Sequence, residues 1–268
     1  MEIAVCIKQV PDSWAQKTMG SDGRLDRASV DAVLNDLDEY AIESALKLVE
    51  ANSPTGEAGE GSGHSITVIS MGPERATEAL RKALSMGVDD AILISDEALA
   101  GSDALATSKV LATAITAGGF DLVICGTEST DARMSVVPAM LAERLSFAQL
   151  TFAASISLEG STVKISRQTE FGVEEMSAQL PAVVSVVEKI NEPRYPSFKG
   201  IMASKKKPLV IKSLAEVDIA AADVGSSAAW SCVKDSLPRP PRGAGIKVTD
   251  NGDGGSQLAA FLAERKLI

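Results

Sequence analysis

The fold is decided by the stretch SITVISMGPERATEALRKALSMG, which runs from Ser65 to Gly87. Its first seven residues are mainly apolar or β-branched, as in a buried strand, and Gly72-Pro73 ends that strand. Apolar side chains then recur at helical spacing up to Met86, and Gly87 stands where a left-handed residue commonly ends a helix. The stretch therefore predicts one strand followed by one helix, the repeating unit of a parallel α/β sheet.

The same alternation continues on both sides of this unit. Strands joined by helix-length crossovers pair in parallel, so the pattern predicts an open parallel sheet. Beyond Leu150 the pattern changes to alternating strands around Glu159-Gly160-Ser161, which predicts a hairpin and an antiparallel extension. Asp36 and Glu39 have the spacing of a capping box, so we expect Asp36 to be the N-cap of the first helix. The other predicted strands are 2–7, 91–95, 121–125, 172–180 and 182–187, and the other predicted helices are 103–117 and 137–145.

Composition and charge restrict the class of partner. The chain has 268 residues and a formal net charge of −10, and it is 45% hydrophobic but only 4% aromatic. A negative chain is a poor match for nucleic acid or an anionic membrane, because both select clustered positive charge. No stretch approaches the ~20 apolar residues that span a bilayer, and the N-terminus lacks the basic region of a signal peptide. We expect a cytoplasmic protein that is not membrane-embedded and does not bind nucleic acid.

Residues able to carry out catalysis are scarce. His64 is the only histidine, which argues against histidine-based triads and metal sites. Cys6, Cys125 and Cys232 follow neither a disulfide framework nor metal-ligand spacing, and no spaced carboxylate pair stands out for acid/base work. The sequence therefore predicts no catalytic and no metal-binding residues.

A ligand site is easier to place. In an open parallel sheet the carboxyl ends of the strands form a crevice, and three strands end there in turns, Cys6-Ile7-Lys8, Met71-Gly72-Pro73 and Gly126 to Asp131. The two glycines allow close approach of a ligand, and the helix that follows could direct free N–H groups at an anion. A mononucleotide would fit. From the residues alone, ordinary strand-ending glycines explain the pattern about as well.

The segment 191–207, which we call the recognition segment, follows the last apolar strand. Its two prolines disfavour regular structure, so we expect an exposed, stiffened loop. Phe198 and Ile201 are apolar residues that a surface loop has no folding reason to display. Composition leaves two readings open, a linker packed on its own core and a partner-binding loop. Lys205 to Lys207 is expected to be a solvated surface.

With these features together, the chain resembles the electron transfer flavoprotein beta subunits, including bacterial forms associated with nitrogen fixation, over nearly its whole length. The fourth of the motifs named next, which lies in the recognition segment, is highly specific. Four motifs carry the resemblance: Ile7-Lys8-Gln9-Val10-Pro11-Asp12; Gly72-Pro73 with Ala79-Leu80-Arg81-Lys82-Ala83-Leu84-Ser85-Met86-Gly87; Arg167, Glu170, Gly172 and Glu174 leading to Leu180-Pro181-Ala182-Val183-Val184; and Asn191-Glu192-Pro193-Arg194-Tyr195 followed by Ile201-Met202-Ala203 and the lysines.

The resemblance implies an α/β fold whose parallel sheet forms a nucleotide-binding domain, Rossmann-like and of the adenine nucleotide alpha hydrolase-like type, with an antiparallel extension and a C-terminal arm. It places this domain at 1–190, a partner-recognition loop at 191–207, and the arm, which would pack on an alpha subunit, at 208–268. The arm has few large apolar residues, so we expect it to pack on a partner or to stay loose.

The resemblance also implies the function. The chain would be the non-catalytic beta subunit of a heterodimer whose alpha subunit holds most of the FAD. Electrons would pass from flavin dehydrogenases, such as the acyl-CoA dehydrogenases of fatty acid oxidation, through FAD to a quinone oxidoreductase, and beta would bind AMP structurally. By position, the nucleotide contacts would be Cys6, Asn35, Met71, Gly126, Thr127, Asp131, Arg133, Ser135 and Val136. The recognition residues would be Pro193, Tyr195, Phe198, Ile201 and Met202, with Phe198 as the apolar anchor.

Two positions depart from the family's pattern. The nucleotide loop reads Asp131-Ala132-Arg133-Met134-Ser135-Val136, where the family commonly carries glycine, and Arg133 is a candidate to meet a phosphate. Gln168 follows Arg167 near the expected flavin, where the family commonly has an acid. Two rival functions stay open. One is a bifurcating relative with a second FAD in place of AMP, and the other is an adenine-nucleotide-binding protein or enzyme such as an ATP pyrophosphatase, although no Ser-Gly-Gly phosphate loop follows the first strand.

Overall fold

The structure, a computed structural model, describes residues 1–54, 56–59, 61–237 and 239–268. Thr55 and Glu60 fall in a Gly- and Ser-rich segment and Pro238 falls in the predicted C-terminal arm, and all three lie outside the described residues. The chain forms two compact units, Met1–Lys234 and Asp235–Ile268.

Three strands open the chain, helices and strands then alternate from α1 to α4, and four consecutive strands follow. Short 3₁₀ turns lie at Glu74–Ala76, Glu97–Leu99, Ala215–Val217 and Ala221–Asp223. The strands and α-helices, in chain order, are β1 (Glu2–Cys6), β2 (Gln9–Pro11), β3 (Ala32–Leu34), α1 (Asp36–Asn52), β4 (Ser65–Met71), α2 (Thr77–Met86), β5 (Asp90–Ile94), α3 (Ala104–Gly118), β6 (Leu122–Gly126), α4 (Val137–Leu145), β7 (Ala148–Glu159), β8 (Thr162–Thr169), β9 (Gly172–Gln179), β10 (Ala182–Val186), α5 (Phe198–Ser204), β11 (Leu209–Lys212), α6 (Gly225–Ala228) and α7 (Gly254–Glu264).

A nine-stranded sheet with the order β11-β5-β4-β1-β6-β10-β7-β8-β9 organises the first unit. Every pair from β11 to β7 is parallel, and β8 and β9 add to β7 as antiparallel strands. The predicted α/β fold, with its parallel sheet and antiparallel extension, is therefore confirmed. A separate two-stranded sheet pairs β2 with β3.

The central sheet is covered on both faces. Alternate residues of β1 point to opposite sides, so that Ile3 and Val5 join the core under α1 and α2, while Ala4 and Cys6 join the core under α3 and α4. Strands buried on both faces read as continuous apolar runs, which is the pattern seen in Ala182–Val186. The low aromatic content is compatible with this arrangement because Ala-rich helices lie close to the sheet.

The predicted start of the first helix is wrong by one residue. The N-cap of α1 is Asn35, and Asp36 is already inside the helix, with no side-chain capping hydrogen bond at the N-cap. The Glu39 side chain pairs instead with Lys82 of α2. The amide of Asn35 is engaged elsewhere, with the loop after β6.

The recognition segment was predicted to be a loop throughout, but part of it forms a helix. Ser197 caps a short helix, α5, by accepting a hydrogen bond from the Gly200 N–H at 3.0 Å. Lys207 is likewise not a solvated residue, because its ammonium donates to the carbonyls of Gly87 (3.0 Å) and Val88 (2.5 Å) at the end of α2. The prolines therefore precede a helix instead of preventing one.

The first unit also extends beyond the predicted boundary at residue 190. β11 pairs in parallel with β5 at the edge of the sheet, which completes backbone hydrogen bonding there. Leu214, Val217, Ile219 and Val224 are buried in the core beneath α3. The segment 208–224 therefore packs on its own domain, contrary to the expectation that it needs a partner or stays loose.

The second unit contains the short helix α7, which carries Leu258, Phe261 and Leu262. Within it the guanidinium of Arg265 lies 5.2 Å from the centroid of the Phe261 ring.

We predict that Gly126→Ala destabilises the fold. A Cβ at Gly126 would lie 2.5 Å from Oδ1 of Asp38 and 2.7 Å from the carbonyl oxygen of Leu37, so β6 and the start of α1 would have to separate. The expected loss is at least about 1–3 kcal/mol of unfolding free energy, measured by urea denaturation. Gly72→Ala is the matched control, since its Cβ would meet Ala76 at an ordinary 3.5 Å. An equal effect of the two substitutions would contradict the proposed close packing.

Candidate functional site

A cavity of about 410 Å³ lies at the carboxyl ends of the central strands. The turns after β1, β4 and β6 all contribute to it, as the sequence predicted: Cys6 to Lys8, Met71 to Pro73, and Gly126 to Ser129. The first turn of α4 completes one side, with Val136 as its N-cap and no side-chain capping bond. Pro138, at the second position of α4, has no N–H, so the other N–H groups of the first turn are the ones that an anion in the cavity could meet.

Most of the predicted nucleotide contacts meet in this cavity. Two of them are fixed by hydrogen bonds, since the Thr127 hydroxyl donates to the carbonyl of Val186 at 2.6 Å and the Ser135 hydroxyl donates to Glu128 at 2.8 Å. The predicted residues that line the cavity are Cys6, Met71, Gly126, Thr127, Ser135 and Val136.

Asn35, Asp131 and Arg133 are not among the residues that line the cavity. Asn35 is fully buried and holds the loop after β6 through both ends of its amide, donating to the carbonyl of Glu128 at 2.9 Å and accepting from the N–H of Thr130 at 3.0 Å. Arg133 lies 3.4 Å from Glu128 with an exposed side chain and a positive φ of 50°. Their direct contact with a nucleotide stays a prediction, while the geometry makes Asn35 a support for the cavity wall.

Asp131 connects three parts of the chain at the cavity edge. Its buried carboxylate accepts from the ammonium of Lys8 at 2.8 Å and from Arg27 at 2.8 Å. Burial alone would raise the pKa of Asp131, but the Lys8 ammonium and its hydrogen bond bring that pKa down to about 2. Burial also lowers the pKa of Lys8, against the opposing effect of Asp131. Two cations sharing one carboxylate leave positive charge at the edge of the cavity, which favours an anionic ligand.

Sequence reasoning missed two cationic residues of the cavity, Arg27 and Arg75. Arg75 donates to the carbonyls of Arg27 (3.1 Å) and Val30 (3.3 Å), so it holds the long loop between β2 and β3 against the start of α2. The contact joins residues more than forty positions apart, and neither arginine belongs to a recognisable motif. No local pattern could have revealed it.

Asp38 is a buried carboxyl group at the floor of the cavity. It accepts a hydrogen bond from the backbone N–H of Lys8 at 2.8 Å. Burial nevertheless raises its pKa to about 7, because the hydrogen bonds from Asn35 and Lys8 only partly offset the loss of solvent.

The recognition segment presents a second candidate surface, the exposed side of α5. Phe198 is 81% exposed, and Ile201 and Met202 are about half exposed, as is expected of a partner-binding surface. Tyr195 is also exposed, whereas Pro193 is half-buried. The structure thus brings four of the predicted recognition residues to the surface: Tyr195, Phe198, Ile201 and Met202.

α5 is held firmly against α2 although it is only seven residues long. Arg81 of α2 donates to the carbonyls of Ser204 (2.6 Å) and Lys207 (2.9 Å), at the C-terminal end of α5 where a cation is favoured. Gly200 lies so close to α2 that a Cβ there would be 2.5 Å from the carbonyl oxygen of Ser85. The apolar face is therefore displayed by a fixed helix.

An open groove of about 570 Å³ lies beside β7 and β8. Arg167 lines it and pairs with Glu174 on the neighbouring strand, through contacts of 2.9 and 2.5 Å. Glu174 thus pairs with Arg167 across the two strands, although Glu174 itself does not line the groove. Phe152, also at the groove, has a φ of 62° beside a bulge in β7, a conformation that is strained for an aromatic residue and often marks a functional position.

Comparison with known proteins identifies the family. A sequence profile described as "Electron transfer flavoprotein domain" matches residues 22–217. The chain is 49% identical to the electron transfer flavoprotein subunit beta of Mycobacterium leprae, over 99% of both chains. The chain belongs to the electron transfer flavoprotein beta-subunit family.

More distant members of the electron transfer flavoprotein family match over the same length. The subunit beta of Megasphaera elsdenii is 34% identical, with full coverage of both chains. A protein of Acetobacterium woodii named "Caffeyl-CoA reductase-Etf complex subunit CarD" is 33% identical, also over the whole of both chains. Family membership therefore covers the cavity, the recognition segment and the second unit.

Two further observations concern the described part of the chain. It contains no helix that is both long and apolar enough to cross a membrane. Within the same ranges, no group of three or more His, Cys, Asp and Glu side chains is placed to hold a metal ion.

We predict that Asp38 lowers the stability of the fold as the pH rises. Its pKa is about 7 in the folded chain and about 4 when unfolded, so between these values the folded state alone holds the proton. This group's contribution is therefore most favourable below pH ~4, falls by about 1.4 kcal/mol per pH unit up to pH ~7, and is then constant. Asp38→Asn should remove this dependence and gain stability relative to the wild type at high pH.

Urea denaturation at several pH values measures the effect of Asp38→Asn. Asp36→Asn, an exposed position in the same helical turn, is the control and should reproduce the wild-type profile. Parallel pH profiles for the wild type and Asp38→Asn would show that Asp38 has no such shifted pKa.

Proposed function

We propose that this chain is the beta subunit of a heterodimeric electron transfer flavoprotein and acts as an electron carrier subunit, not as an enzyme. An alpha subunit would hold most of the FAD, which accepts electrons from flavin dehydrogenases and delivers them to a quinone oxidoreductase. The observation that carries the proposal is the exposed apolar face of α5, within a chain whose relatives over the full length are beta subunits. Acyl-CoA dehydrogenases of fatty acid oxidation in the cytoplasm are the donors we favour.

The cavity residues fit AMP as the second nucleotide. A volume of about 410 Å³ is near the lower end of the ~300–1,000 Å³ typical of small-molecule sites, which suits a mononucleotide. The start of α4, with Lys8 and Arg27 nearby, would receive the phosphate. Gly72 and Gly126 line the cavity without a side chain, so their backbone would lie close to the ligand. Asp131 would act indirectly, by holding the two cations in place.

AMP bound here would be a structural ligand. It would join the loop after β6 to the loop between β2 and β3, and any ligand that binds only the folded state stabilises it by mass action. FAD bound by the alpha subunit would supply the redox chemistry. We propose that the groove beside Arg167 faces that FAD and that the second unit packs on the alpha subunit.

A second candidate function is that of a bifurcating relative, in which a second FAD takes the place of AMP. The observation that favours it is the 33% identity to the subunit of a caffeyl-CoA reductase complex. The cavity volume of about 410 Å³ favours AMP, since a dinucleotide would have to extend through the open side of the cavity.

We predict one FAD and one AMP per heterodimer. The test is to co-express the chain with an electron transfer flavoprotein alpha subunit from the same organism, denature the purified complex, and quantify flavin and adenine nucleotide by chromatography. Two FAD and no AMP would select the bifurcating alternative. A colourless single chain would contradict both candidates.

We also predict that Phe198→Ala impairs docking of the dehydrogenase. Burying this side chain at an interface is worth roughly 1.5–3 kcal/mol, so the KM for the flavoprotein should rise at least about tenfold. The measurement is the rate of heterodimer reduction by an acyl-CoA dehydrogenase that reduces the wild type. Lys199, Lys205 and Lys206 are exposed around α5 and should steer the partner, affecting the salt dependence of the rate more than the complex lifetime.

Phe171→Ala is the matched control, because Phe171 is equally exposed but lies in the turn between β8 and β9. FAD content and subunit assembly should be unchanged in both variants. Loss of FAD and of the heterodimer in Phe198→Ala would show that this residue serves assembly, and the docking role would be rejected.

A further inference from the structure

The position of α5 depends on a cluster of charged groups that its own sequence does not contain. Arg194 lies four residues before Phe198, and its guanidinium reaches two carboxylates of α1. Its Nε donates to Glu43 at 2.7 Å and its Nη1 donates to Glu50 at 2.7 Å, while Nη2 contacts both, at 3.0 and 3.1 Å. The backbone N–H of Arg194 also donates to Glu43, at 3.2 Å. A single residue thus makes five hydrogen bonds to one helix.

The cluster follows from the spacing and burial of the two carboxylates on α1. Glu43 and Glu50 are seven residues apart, two turns of α1, and so lie on one face where a planar guanidinium can bridge them. The Glu43 side chain is only 3% exposed, and Arg194 and Glu50 are about one-third exposed. The hydrogen bonds that Arg194 donates to Glu50 and Glu43 raise the pKa of its guanidinium further. The buried carboxylate of Glu43 pairs more closely with Arg194, at 2.7 Å, than with Lys47 of α1 itself, at 3.7 Å, and the closer pair ties the recognition segment to α1.

A second set of hydrogen bonds also connects the recognition segment to α1. The side-chain amide of Asn191 donates to the carbonyl of Tyr40 at 3.1 Å and to the hydroxyl of Ser44 at 2.8 Å. The segment before α5 is therefore fixed to α1, while α5 itself is fixed to α2 by Arg81 and Gly200. The two ends of the recognition segment are held by different helices.

We propose that Arg194 is a positioning residue for docking: it fixes the segment before α5 and thereby sets the orientation of the Phe198 face. The inference rests on the proposed docking role of α5 and adds to it the residue that holds this surface ready. Its guanidinium is engaged by Glu43 and Glu50, so it acts through α5 and not by contact with the partner. An ordered surface loses less conformational freedom on association than a loose one, which strengthens a small, fast-exchanging contact.

The test uses the purified heterodimer and two variants that weaken the cluster from opposite sides. Arg194→Lys keeps a charge beside Glu43 but cannot bridge both carboxylates. Glu50→Gln leaves the recognition segment untouched and removes the charge from the α1 side. Both should raise the KM for the flavoprotein in reduction by the acyl-CoA dehydrogenase by roughly tenfold, the equivalent of about 1.4 kcal/mol, with kcat within about twofold of the wild type.

Hydrogen exchange supplies a readout that loss of a direct partner contact would not change. In the free heterodimer, the amides of residues 198–204 should exchange faster in both variants, while the sheet amides and the FAD content stay as in the wild type. Lys82→Gln, which removes a different contact to α1 through Glu39, is the control and should change neither KM nor exchange in α5.

The outcomes separate this inference from the proposed function. A raised KM together with faster exchange in α5 supports the positioning role. If Phe198→Ala raises KM and neither Arg194→Lys nor Glu50→Gln does, the positioning role is rejected and docking by α5 is retained. If Phe198→Ala itself leaves KM unchanged, docking by α5 is rejected and the positioning role falls with it. A raised KM with unchanged exchange assigns Arg194 to direct partner contact and overturns the inference.

Discussion

The arrangement of this fold depends on two carboxyl groups that α1 carries into the interior, Asp38 and Glu43. A buried carboxyl group, charged or neutral, is costly unless it is paired or hydrogen-bonded, so each of the two lies against a segment that supplies a donor. Asp38 accepts from the backbone of Lys8 and thereby fixes the turn after β1, and Glu43 accepts from Arg194 and thereby fixes the recognition segment. One helix thus positions both candidate functional surfaces. Because they are five residues apart, the two groups face different directions on α1.

The same helix explains why the cavity has a defined shape. Asn35 at its start holds the loop after β6, and Gly126 gives α1 room to approach that loop closely. At the cavity edge, the Asp131 carboxylate forms salt bridges with Lys8 and Arg27. The salt bridge with Arg27 holds the long loop after β2 over the opening of the cavity. Several separate stretches of chain therefore meet around one small space. A ligand there would contact all of them at once, which is the physical basis for giving the nucleotide a structural role.

Much of this could be predicted from the sequence because the relevant signals are local. Apolar runs, helical spacing and the turns at Gly72 and Gly126 place the strands and the crevice where the structure has them. The predictions fail where long-range contacts decide. Arg27 and Arg75 reach the cavity through tertiary contacts, and the residues after Lys207 join the sheet because the open edge of β5 leaves backbone groups to be paired. At Phe198 the local signals oppose one another, since the neighbouring prolines disfavour a helix and the capping Ser197 favours one.

The exposure of Phe198 follows from how α5 is held. An isolated helix of seven residues has little stability in water, so its order must come from contacts elsewhere. Those contacts are polar or involve backbone, through Arg194, Arg81 and the close approach of Gly200 to Ser85, and none requires Phe198. Selection for stability alone would bury so large a ring, which is worth roughly 1.5–3 kcal/mol, under the same helix. A helix fixed by polar contacts with its aromatic residue turned outward is therefore consistent with the proposed docking role of α5.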